Sequence, residues 1–352
     1  KYQEVKLILC SFRKVNSRCK FRYMAKQNPV KIGVIGVGHL GRFHVQQLSS
    51  IENVELLGIF DVNMAQCKNV SDEFSVPTFS DVEKLINVCD AVSIVTPTTY
   101  HFNTAMQALH GGCHVFIEKP ITETISQAEQ ILELAESTNR IIQVGHIERF
   151  NPAFLHVKKQ NLSPEFVEIH RLATFKRRGT DVPVILDLMI HDIDILLNMV
   201  NSPVKDIQAS GVKVVSKTAD IANARISFEN GCVANVTASR ISQGPMRKMR
   251  IFQEATYTTV DFLQKSVEIY NVLDEAPANA DESFVFPLEG HDKKYIIYEK
   301  PELIEHNALR QELYHFAKAI QDGERPDVDG QSATAALHIA LEIQKIIDKS
   351  IA

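Results

Sequence analysis

A chain of 352 residues is longer than one hydrophobic core normally serves, so the sequence predicts two domains. It is 45% hydrophobic and 23% charged, and it lacks an apolar run near the roughly 18 residues that a membrane-spanning helix requires. The formal net charge of −5 argues against nucleic acid or an anionic membrane as the main partner. The six cysteines show no metal-ligand spacing, so no metal site is expected. We expect a cytoplasmic, globular protein.

The first 29 residues differ from the rest of the chain in charge. They carry eight Lys or Arg residues and a single acid, Glu4. Met24 stands just before the first predicted strand, so we expect translation to start there and residues 1–29 to be a non-native or disordered leader. An Arg-rich transit peptide is the alternative interpretation.

Residues 30–147 alternate short β-branched runs with helical stretches. The runs VKIGVIG, VELLGIFD, AVSIVTP, HVFIEKP and IIQVGHI are mostly apolar, which is typical of strands buried on both faces of a parallel sheet. The pattern predicts an α/β protein whose N-terminal domain, residues 30–149, is a Rossmann fold with a doubly wound parallel sheet.

The first predicted strand runs into the glycine-rich segment GVGHLG, and a helix follows. Gly36 would allow a tight turn, Gly38 would let the backbone approach a pyrophosphate, and Gly41 would pack helix against strand. Asp61 ends the second predicted strand, where a carboxylate accepts hydrogen bonds from ribose hydroxyls and repels a 2′-phosphate. The segment therefore predicts a site for NAD rather than NADP. The residues of the expected cofactor loop are Gly36, Gly38, His39, Leu40 and Gly41.

Polar residues follow two further strands of this sheet. Thr96 and Pro97 end one strand and precede His101, while Glu118 and Lys119 end the next. Because ligands lie beyond the carboxyl ends of parallel strands, we expect these residues to face the dinucleotide crevice and to contact the cofactor. An ordinary surface lysine is the alternative for Lys119, and a packing or helix-capping role is the alternative for His101.

The hydrophobic period changes from about residue 165. FVEIHRLATFK, ARISFENGCVANVTASRI and MRIFQEATYTTVDFL alternate apolar with polar residues, and Asn230-Gly231 is typical of a hairpin turn. Two helices close the chain at about 305–322 and 331–349. We predict a C-terminal α+β domain, residues 150–352, with an open, mostly antiparallel sheet that forms the substrate and oligomerisation domain.

The stretch LDLMIHDIDIL introduces polar groups into a helix, residues 186–200, that is otherwise apolar. A helical projection places four polar side chains within about 60° of one another: Asp187, His191, Asp194 and Asn198. Asp192 stands apart from them. A buried carboxylate must be paired or functional, so this stripe is either part of an active site or a polar ladder that only fixes the helix.

These motifs together resemble one oxidoreductase family. GVGHLG, TPTTYH, EKP and the D-x-x-x-H of Asp187 to His191, in this order, are similar to the family of glucose-fructose oxidoreductase, inositol dehydrogenase and MocA over about residues 30–350. The resemblance implies NAD as cofactor, oxidation of a CH–OH group, and a homodimer or homotetramer formed through the C-terminal sheet. It also assigns Lys119, Asp187 and His191 to the catalytic centre and implies a cis Lys119–Pro120 bond.

One departure from the family pattern bears on the substrate. Many members have glycines around the catalytic aspartate, where this chain has Val184, Ile185 and Met189. Together with VGHIERFNPAF, this resembles the nucleotide-sugar branch of the family. The resemblance implies NAD-dependent oxidation of the C3 hydroxyl of UDP-N-acetylglucosamine, ahead of a sugar aminotransferase. Alternatives are another sugar or polyol, NAD-dependent glycoside hydrolysis by the same fold, and a non-enzymatic dinucleotide sensor.

A UDP-sugar carries a diphosphate, which planar guanidinium groups bind well. Each candidate arginine has the alternative role of a solvated surface charge. The strongest candidates, Arg149 and Asn151, follow the last strand of the N-terminal domain. The full set of expected substrate-binding residues is Arg149, Asn151, Arg177 and Arg178, with Arg240 as a further arginine.

For the mechanism, His191 is the expected general base because its ordinary pKa lies near working pH. Asp187, one turn earlier, would orient the ring, and Lys119 would stabilise negative charge on the substrate oxygen. The residues alone leave open whether Lys119 or His191 accepts the proton. Asp194 and Asn198, on the same polar stripe, are expected to contact the catalytic residues without touching the substrate.

Overall fold

The computed structural model describes residues 28–160, 162–175, 182–275, 284–288 and 294–351. Residues 1–27 of the predicted leader, and the predicted substrate residues Arg177 and Arg178, lie outside these ranges.

The N-terminal half forms the predicted parallel sheet. Its strands lie in the order β2-β1-β3-β4-β5 and every neighbouring pair is parallel. The order reverses between β1 and β3, the type of switch point at which such sheets bind ligands. The strands are β1 (Val30–Ile35), β2 (Val54–Phe60), β3 (Ala91–Ile94), β4 (His114–Glu118) and β5 (Ile142–Gly145).

Helices cover both faces of this sheet, which confirms the doubly wound fold. The helices of this half are α1 (His39–Leu48), α2 (Met64–Phe74), α3 (Val82–Ile86), α4 (His101–His110) and α5 (Ile125–Ser137). Helices α1 and α2 contribute to a core on one face, whereas α3, α4 and α5 contribute to the core on the other. A capping box between Thr124 and Gln127 fixes the start of α5.

The C-terminal half contains a nine-stranded sheet in the described residues, mostly antiparallel as predicted. Its order is β13-β14-β12-β11-β10-β6-β9-β8-β7, and the β6–β9 pair is parallel. The Asn230-Gly231 turn is confirmed, with Gly231 at φ +91° between β8 and β9. The strands are β6 (Phe166–Leu172), β7 (Val204–Val212), β8 (Ile221–Phe228), β9 (Val233–Ser239), β10 (Met246–Gln253), β11 (Thr256–Asp261), β12 (Ser266–Leu273), β13 (Val285–Pro287) and β14 (Tyr295–Glu299).

Helices cover one face of this second sheet. They are α6 (Pro152–Lys158), α7 (Ile190–Val200) and α9 (Gly330–Ile351), whereas α8 (Ala308–Asp322) packs on the parallel sheet of the N-terminal half. A π-helical turn, Ile185–Met189, leads directly into α7. Both are nearly encircled by apolar neighbours, in agreement with the predicted buried helix.

The last two helices cross the predicted domain boundary. Phe316 of α8 packs edge-on against Phe116 of the parallel sheet, with ring centroids 5.8 Å apart, and Leu337 of α9 belongs to the core on the sheet's other face. The C-terminal residues therefore close both domains, and the two halves share one continuous junction. No helix in the described part of the chain is long and apolar enough to span a membrane.

Candidate active site

A cavity of about 570 Å³ lies at the carboxyl ends of β1, β2 and β3. Its lining includes seven of the predicted cofactor residues: Gly36, Gly38, His39, Leu40, Asp61, Thr96 and Pro97. Thr96 adds a buried hydroxyl that has no hydrogen-bond partner within the described residues. A deep groove with an unused polar group at the switch point fits a dinucleotide.

The glycines of the loop have the backbone roles that their spacing predicts. Gly36 adopts φ +88°, and a Cβ there would lie 2.8 Å from the Val95 carbonyl oxygen. A Cβ on Gly41 would lie closer than any tolerable contact to the Gly36 carbonyl, so glycine is required for α1 to approach β1. Nothing lies within 4 Å of a Cβ built on Gly38, which leaves the N-terminus of α1 open to an anionic group.

Asp61 joins the second strand to the glycine loop. Its Oδ2 accepts a hydrogen bond from the backbone N–H of Val37 at 2.7 Å, and its Oδ1 accepts one from Asn63 at 2.8 Å. Each carboxylate oxygen keeps a lone pair, and the side chain lines the cavity. These residues fit the adenosine half of NAD, with Asp61 as the ribose acceptor.

His101 does not face the cavity as predicted. The ring is 1% exposed, with Nδ1 2.9 Å from the Pro120 carbonyl oxygen and Nε2 2.9 Å from that of Thr96. Because both nitrogens face backbone carbonyls, His101 has the packing role that was its alternative. It ties the end of β3 to the cis Lys119–Pro120 bond, which confirms the geometry that the family resemblance implied.

The lysine at the tip of β4 reaches the catalytic helix. Lys119 Nζ donates to the backbone carbonyl of Asp187 at 2.7 Å and lies 3.4 Å from Asp187 Oδ1. The side chains of Lys119 and Asp187 are 17% and 41% exposed, so a ligand can reach both. The structure therefore brings together the strand tip of the first domain and the polar stripe of the second.

The predicted pairing of Asp187 with His191 is not formed. Within the described residues, His191 Nδ1 has no hydrogen-bond partner, and Asp187 contacts Lys119 instead. The physical reason is the π-helical turn Ile185–Met189, whose hydrogen bonds join residues i and i+5, so positions i and i+4 no longer stack. The prediction assumed regular α-helical spacing.

The environment of His191 keeps its ring neutral. Burial lowers the pKa of His191 well below its usual range, and the positive charges of Lys119 and Arg171 lower it further. A neutral imidazole is able to accept a proton at neutral pH. The lowered pKa also makes it a weaker base, so the transfer requires that the negative charge left on the substrate oxygen be stabilised, which Lys119 is placed to do.

His146, which the sequence did not identify, packs beside His191. The two rings meet edge-on, with centroids 6.0 Å apart. His146 is 1% exposed, and within the described residues neither of its ring nitrogens has a hydrogen-bond partner. Its position directly after β5, in the segment VGHIERF, was the available signal.

Arg149 and Asn151 are occupied by structural contacts, contrary to the prediction that they bind substrate. Arg149 is 4% exposed and donates to both oxygens of Asp194, at 2.6 and 2.8 Å. Asn151 caps α6 and donates to Glu148 and to the Phe262 carbonyl. Their polar groups hold the domain junction together. Arg240 is likewise buried and donates to the Val182 carbonyl.

Asp194 and Asn198 do not share the predicted supporting role. Asp194 is 1% exposed and paired with Arg149, so it fixes α7 against the 3₁₀ turn Ile147–Phe150. Asn198 is exposed, and the described contacts give it no part in the site.

The helical projection suggested that Asp192 is isolated, but in the structure it belongs to a buried network of ion pairs. Arg171 donates to both oxygens of Asp192, at 2.7 and 2.8 Å, and to Glu148 at 2.9 Å. Arg247 donates to the same Glu148 oxygen. Sequence reasoning missed this network because its members come from distant segments of the chain.

Glu118 is held under the active site by a second polar chain. His44 Nε2 lies 3.0 Å from Glu118 Oε1, and His44 Nδ1 lies 2.9 Å from the Ser93 hydroxyl. Burial opposes ionisation of Glu118, but the His44 contact and the charge of Lys119 hold its pKa below the usual range. A Cβ on Gly145 would lie 2.8 Å from this carboxylate, so glycine makes room for it.

Glu312 on α8 is a fully buried acid near Glu118. Within the described residues neither of its carboxyl oxygens has a hydrogen-bond partner. Burial raises the pKa of Glu312 well above its usual range, and the negative charges of Glu118 and Asp194 raise it further. This environment therefore favours the protonated form of Glu312.

Replacing Glu312 with Gln should make stability less dependent on pH. Because the pKa of Glu312 is higher in the folded than in the unfolded protein, the protonated side chain stabilises the fold fully below its ordinary pKa. This stabilisation is lost as pH rises toward the raised pKa. Above pH 5, we expect the unfolding free energy of Glu312→Gln, relative to that of the wild type, to increase by up to about 1.4 kcal/mol per pH unit. Denaturant titrations from pH 5 to 8 measure this gain. The exposed control Glu133→Gln should show none, and a constant offset for Glu312→Gln would contradict the assignment.

Comparisons with known proteins agree with this geometry. Residues 30–146 match the model of an oxidoreductase family with an NAD-binding Rossmann fold, and residues 144–257 match the Gfo/Idh/MocA C-terminal domain. The chain is 36% identical to UDP-N-acetylglucosamine 3-dehydrogenase of Acidithiobacillus ferrooxidans over 91% of this chain and 97% of that protein.

Solved structures and a more distant relative extend the comparison. A structure of that dehydrogenase superposes with a TM-score of 0.84 and covers 91% of this chain and 98% of its own. The scyllo-inositol 2-dehydrogenase (NAD(+)) of Bacillus subtilis is 25% identical over 90% of this chain and 93% of that protein.

Proposed function

Since the chain belongs to the NAD-binding Gfo/Idh/MocA oxidoreductase family, we propose that it oxidises the C3 hydroxyl of UDP-N-acetylglucosamine to a ketone. The observation that carries this proposal is the near full-length similarity, at 36% identity, to an enzyme named for that reaction. The placement of Lys119 against Asp187, beside a neutral His191, supports it.

The residues of the site divide the work of alcohol oxidation. Bound NAD would accept the hydride that leaves C3. His191 accepts the hydroxyl proton, because its ring is neutral at working pH. Lys119 donates to the substrate oxygen and stabilises its developing negative charge. Asp187 holds Lys119 in place through its backbone carbonyl and its carboxylate.

The direct test is absorbance at 340 nm with NAD and UDP-N-acetylglucosamine, with a 2-keto acid added in a parallel reaction to reoxidise tightly held cofactor. We expect NADH formation, or ketosugar formation in the coupled reaction. myo-Inositol and free N-acetylglucosamine are the control substrates. Cleavage of a glycosidic bond with no net NADH would favour the hydrolase alternative, and inactivity towards the nucleotide sugar in both reactions would refute the proposal.

Asp61→Ala should weaken NAD binding by about 10- to 100-fold, because it removes a charged acceptor for the ribose hydroxyls. The variant should also discriminate less against NADP. Isothermal titration of both cofactors measures the change. Asp72→Ala, an exposed acid on α2, is the control. Equal NAD affinity in Asp61→Ala and wild type would remove Asp61 from the cofactor site.

We also propose that the enzyme is a homodimer or homotetramer formed through the outer face of the C-terminal sheet. A row of aromatic rings crosses five strands on that face, with neighbouring centroids 4.8 to 5.7 Å apart. Light scattering after size-exclusion chromatography tests the proposal, and a monomeric mass would refute it. The row consists of Phe166, Phe252, Tyr257, Tyr270 and Tyr298.

The chemistry of the product suggests the neighbouring step and the place. A 3-keto sugar nucleotide is a carbonyl compound that a sugar aminotransferase would consume. NAD and UDP-sugars are cytoplasmic metabolites, which supports a cytoplasmic location.

A further inference from the structure

Arg247 is an accessible arginine on the inner face of the C-terminal sheet. It lies on β10 in register with Arg171 on β6. Met249 and Ile251, two and four residues later on the same strand, are buried in the core beneath the helices. Because side chains alternate across a strand, Arg247 points to the same face as α7. Its side chain is 45% exposed, against 3% for Arg171.

The guanidinium of Arg247 is anchored without being fully neutralised. Its Nη1 donates to Glu148 Oε1 at 3.1 Å. That oxygen also accepts from Arg171 at 2.9 Å, and Oε2 of Glu148 accepts from Asn151. One carboxylate is thus shared by two arginines. Within the described residues, Arg247 keeps positive charge and N–H donors without a partner on its exposed side, while Glu148 holds its Nη1 in place.

Arg247 also lies close to the catalytic helix. Its charge contributes to lowering the pKa of His191 and acts on Asp192, the next residue of α7. The geometric link is a chain of hydrogen bonds: Arg247 shares Glu148 with Arg171, and Arg171 donates to Asp192, the neighbour of His191 on α7. The backbone at Arg247 is also held in place, because its carbonyl accepts a hydrogen bond from the backbone N–H of Phe262.

Resting on the proposed function, we propose that Arg247 binds the diphosphate of the nucleotide-linked sugar and so selects nucleotide sugars over free sugars and polyols. A planar guanidinium held by a buried carboxylate presents parallel N–H donors that match phosphate oxygens. Arg149 is not available for this role because it is 4% exposed and its Nε and Nη2 donate to Asp194.

The test compares UDP with uridine as ligands of the NAD-loaded enzyme, by isothermal titration. In the wild type we expect UDP to bind more tightly than uridine. Arg247→Met should weaken UDP by about 10- to 100-fold and leave uridine unchanged, and it should raise KM for UDP-N-acetylglucosamine more than it lowers kcat. We expect the variant to fold, because Glu148 still accepts hydrogen bonds from Arg171 and Asn151. Unchanged NAD affinity will show that it does.

Arg250→Met is the matched control. Arg250 lies on the same strand, is 48% exposed and forms a 3.1 Å ion pair with Glu168, but it faces the opposite side of the sheet. We expect it to bind UDP as the wild type does. If Arg247→Met keeps the wild-type preference for UDP over uridine, the assignment of Arg247 is wrong while the proposed function stands. If the wild type itself binds neither UDP nor the nucleotide sugar, the proposed function fails.

Discussion

His191→Ala should reduce kcat by about 100-fold or more while leaving the affinity for NAD intact. The ring is neutral, and its Nδ1 has no hydrogen-bond partner within the described residues, whereas the cofactor cavity is lined by residues of the first domain. Loss of the base therefore affects the chemical step alone. Stopped-flow or steady-state kinetics with saturating NAD, combined with a titration of NAD binding, separates the two effects.

Two further measurements identify the proton acceptor. Added imidazole should restore part of the activity of His191→Ala, whereas it should not restore that of Lys119→Met. Because the folded-state pKa of His191 lies below 6.5, the wild-type acid limb of kcat should also lie below pH 6.5. Near-normal turnover in His191→Ala, or rescue of Lys119→Met by small amines with an unchanged pH profile, would assign the proton to Lys119 instead.

Arg171→Met should destabilise the protein by about 3 to 5 kcal/mol, because it leaves the buried Asp192 without its cation and Glu148 with only the half-exposed Arg247. Arg171 is 2% exposed and supplies both hydrogen bonds to Asp192. Burial already raises the pKa of Asp192 despite the nearby Arg171, so the variant should bind an additional proton at Asp192 and lose less stability at acidic pH. Urea denaturation at pH 5 and pH 8 measures both effects.

The exposed ion pair of Arg250 with Glu168 provides the comparison. Arg250→Met should cost no more than about 1 kcal/mol, since exposed pairs contribute little. In Arg171→Met, a second substitution, Asp192→Asn, should recover part of the stability by removing one unpaired charge. Equal losses for Arg171→Met and Arg250→Met would show that the buried network contributes no more than a surface pair.

Local sequence patterns were sufficient for much of the fold. The apolar runs of residues 30–147 predicted a buried parallel sheet, and the alternation after residue 165 predicted an antiparallel one. The glycine loop could also be interpreted directly, since each glycine acts on neighbours that its own strand and helix supply. Strands β7, β13 and β14 were missed, because their residues carry little alternation of their own.

The candidate site was only partly predictable. Lys119 and the helix of Asp187 and His191 were identified from motifs, and they meet as expected. Their detailed contacts differ, because a π-helical turn shifts Asp187 away from His191 and toward Lys119. A helical projection contains no information about such a turn.

The sequence by itself determined the parallel sheet, the mostly antiparallel sheet and the glycine turn between β1 and α1, because these depend on short-range periodicity and turn geometry. Only the tertiary structure decided which arginines are paired with buried carboxylates and which remain accessible to a ligand. Arg149 and Arg171 are buried and paired with Asp194 and Asp192, whereas Arg247 is half exposed. Pairing of buried charges depends on residues far apart in the chain, and only the folded packing brings them within hydrogen-bond distance.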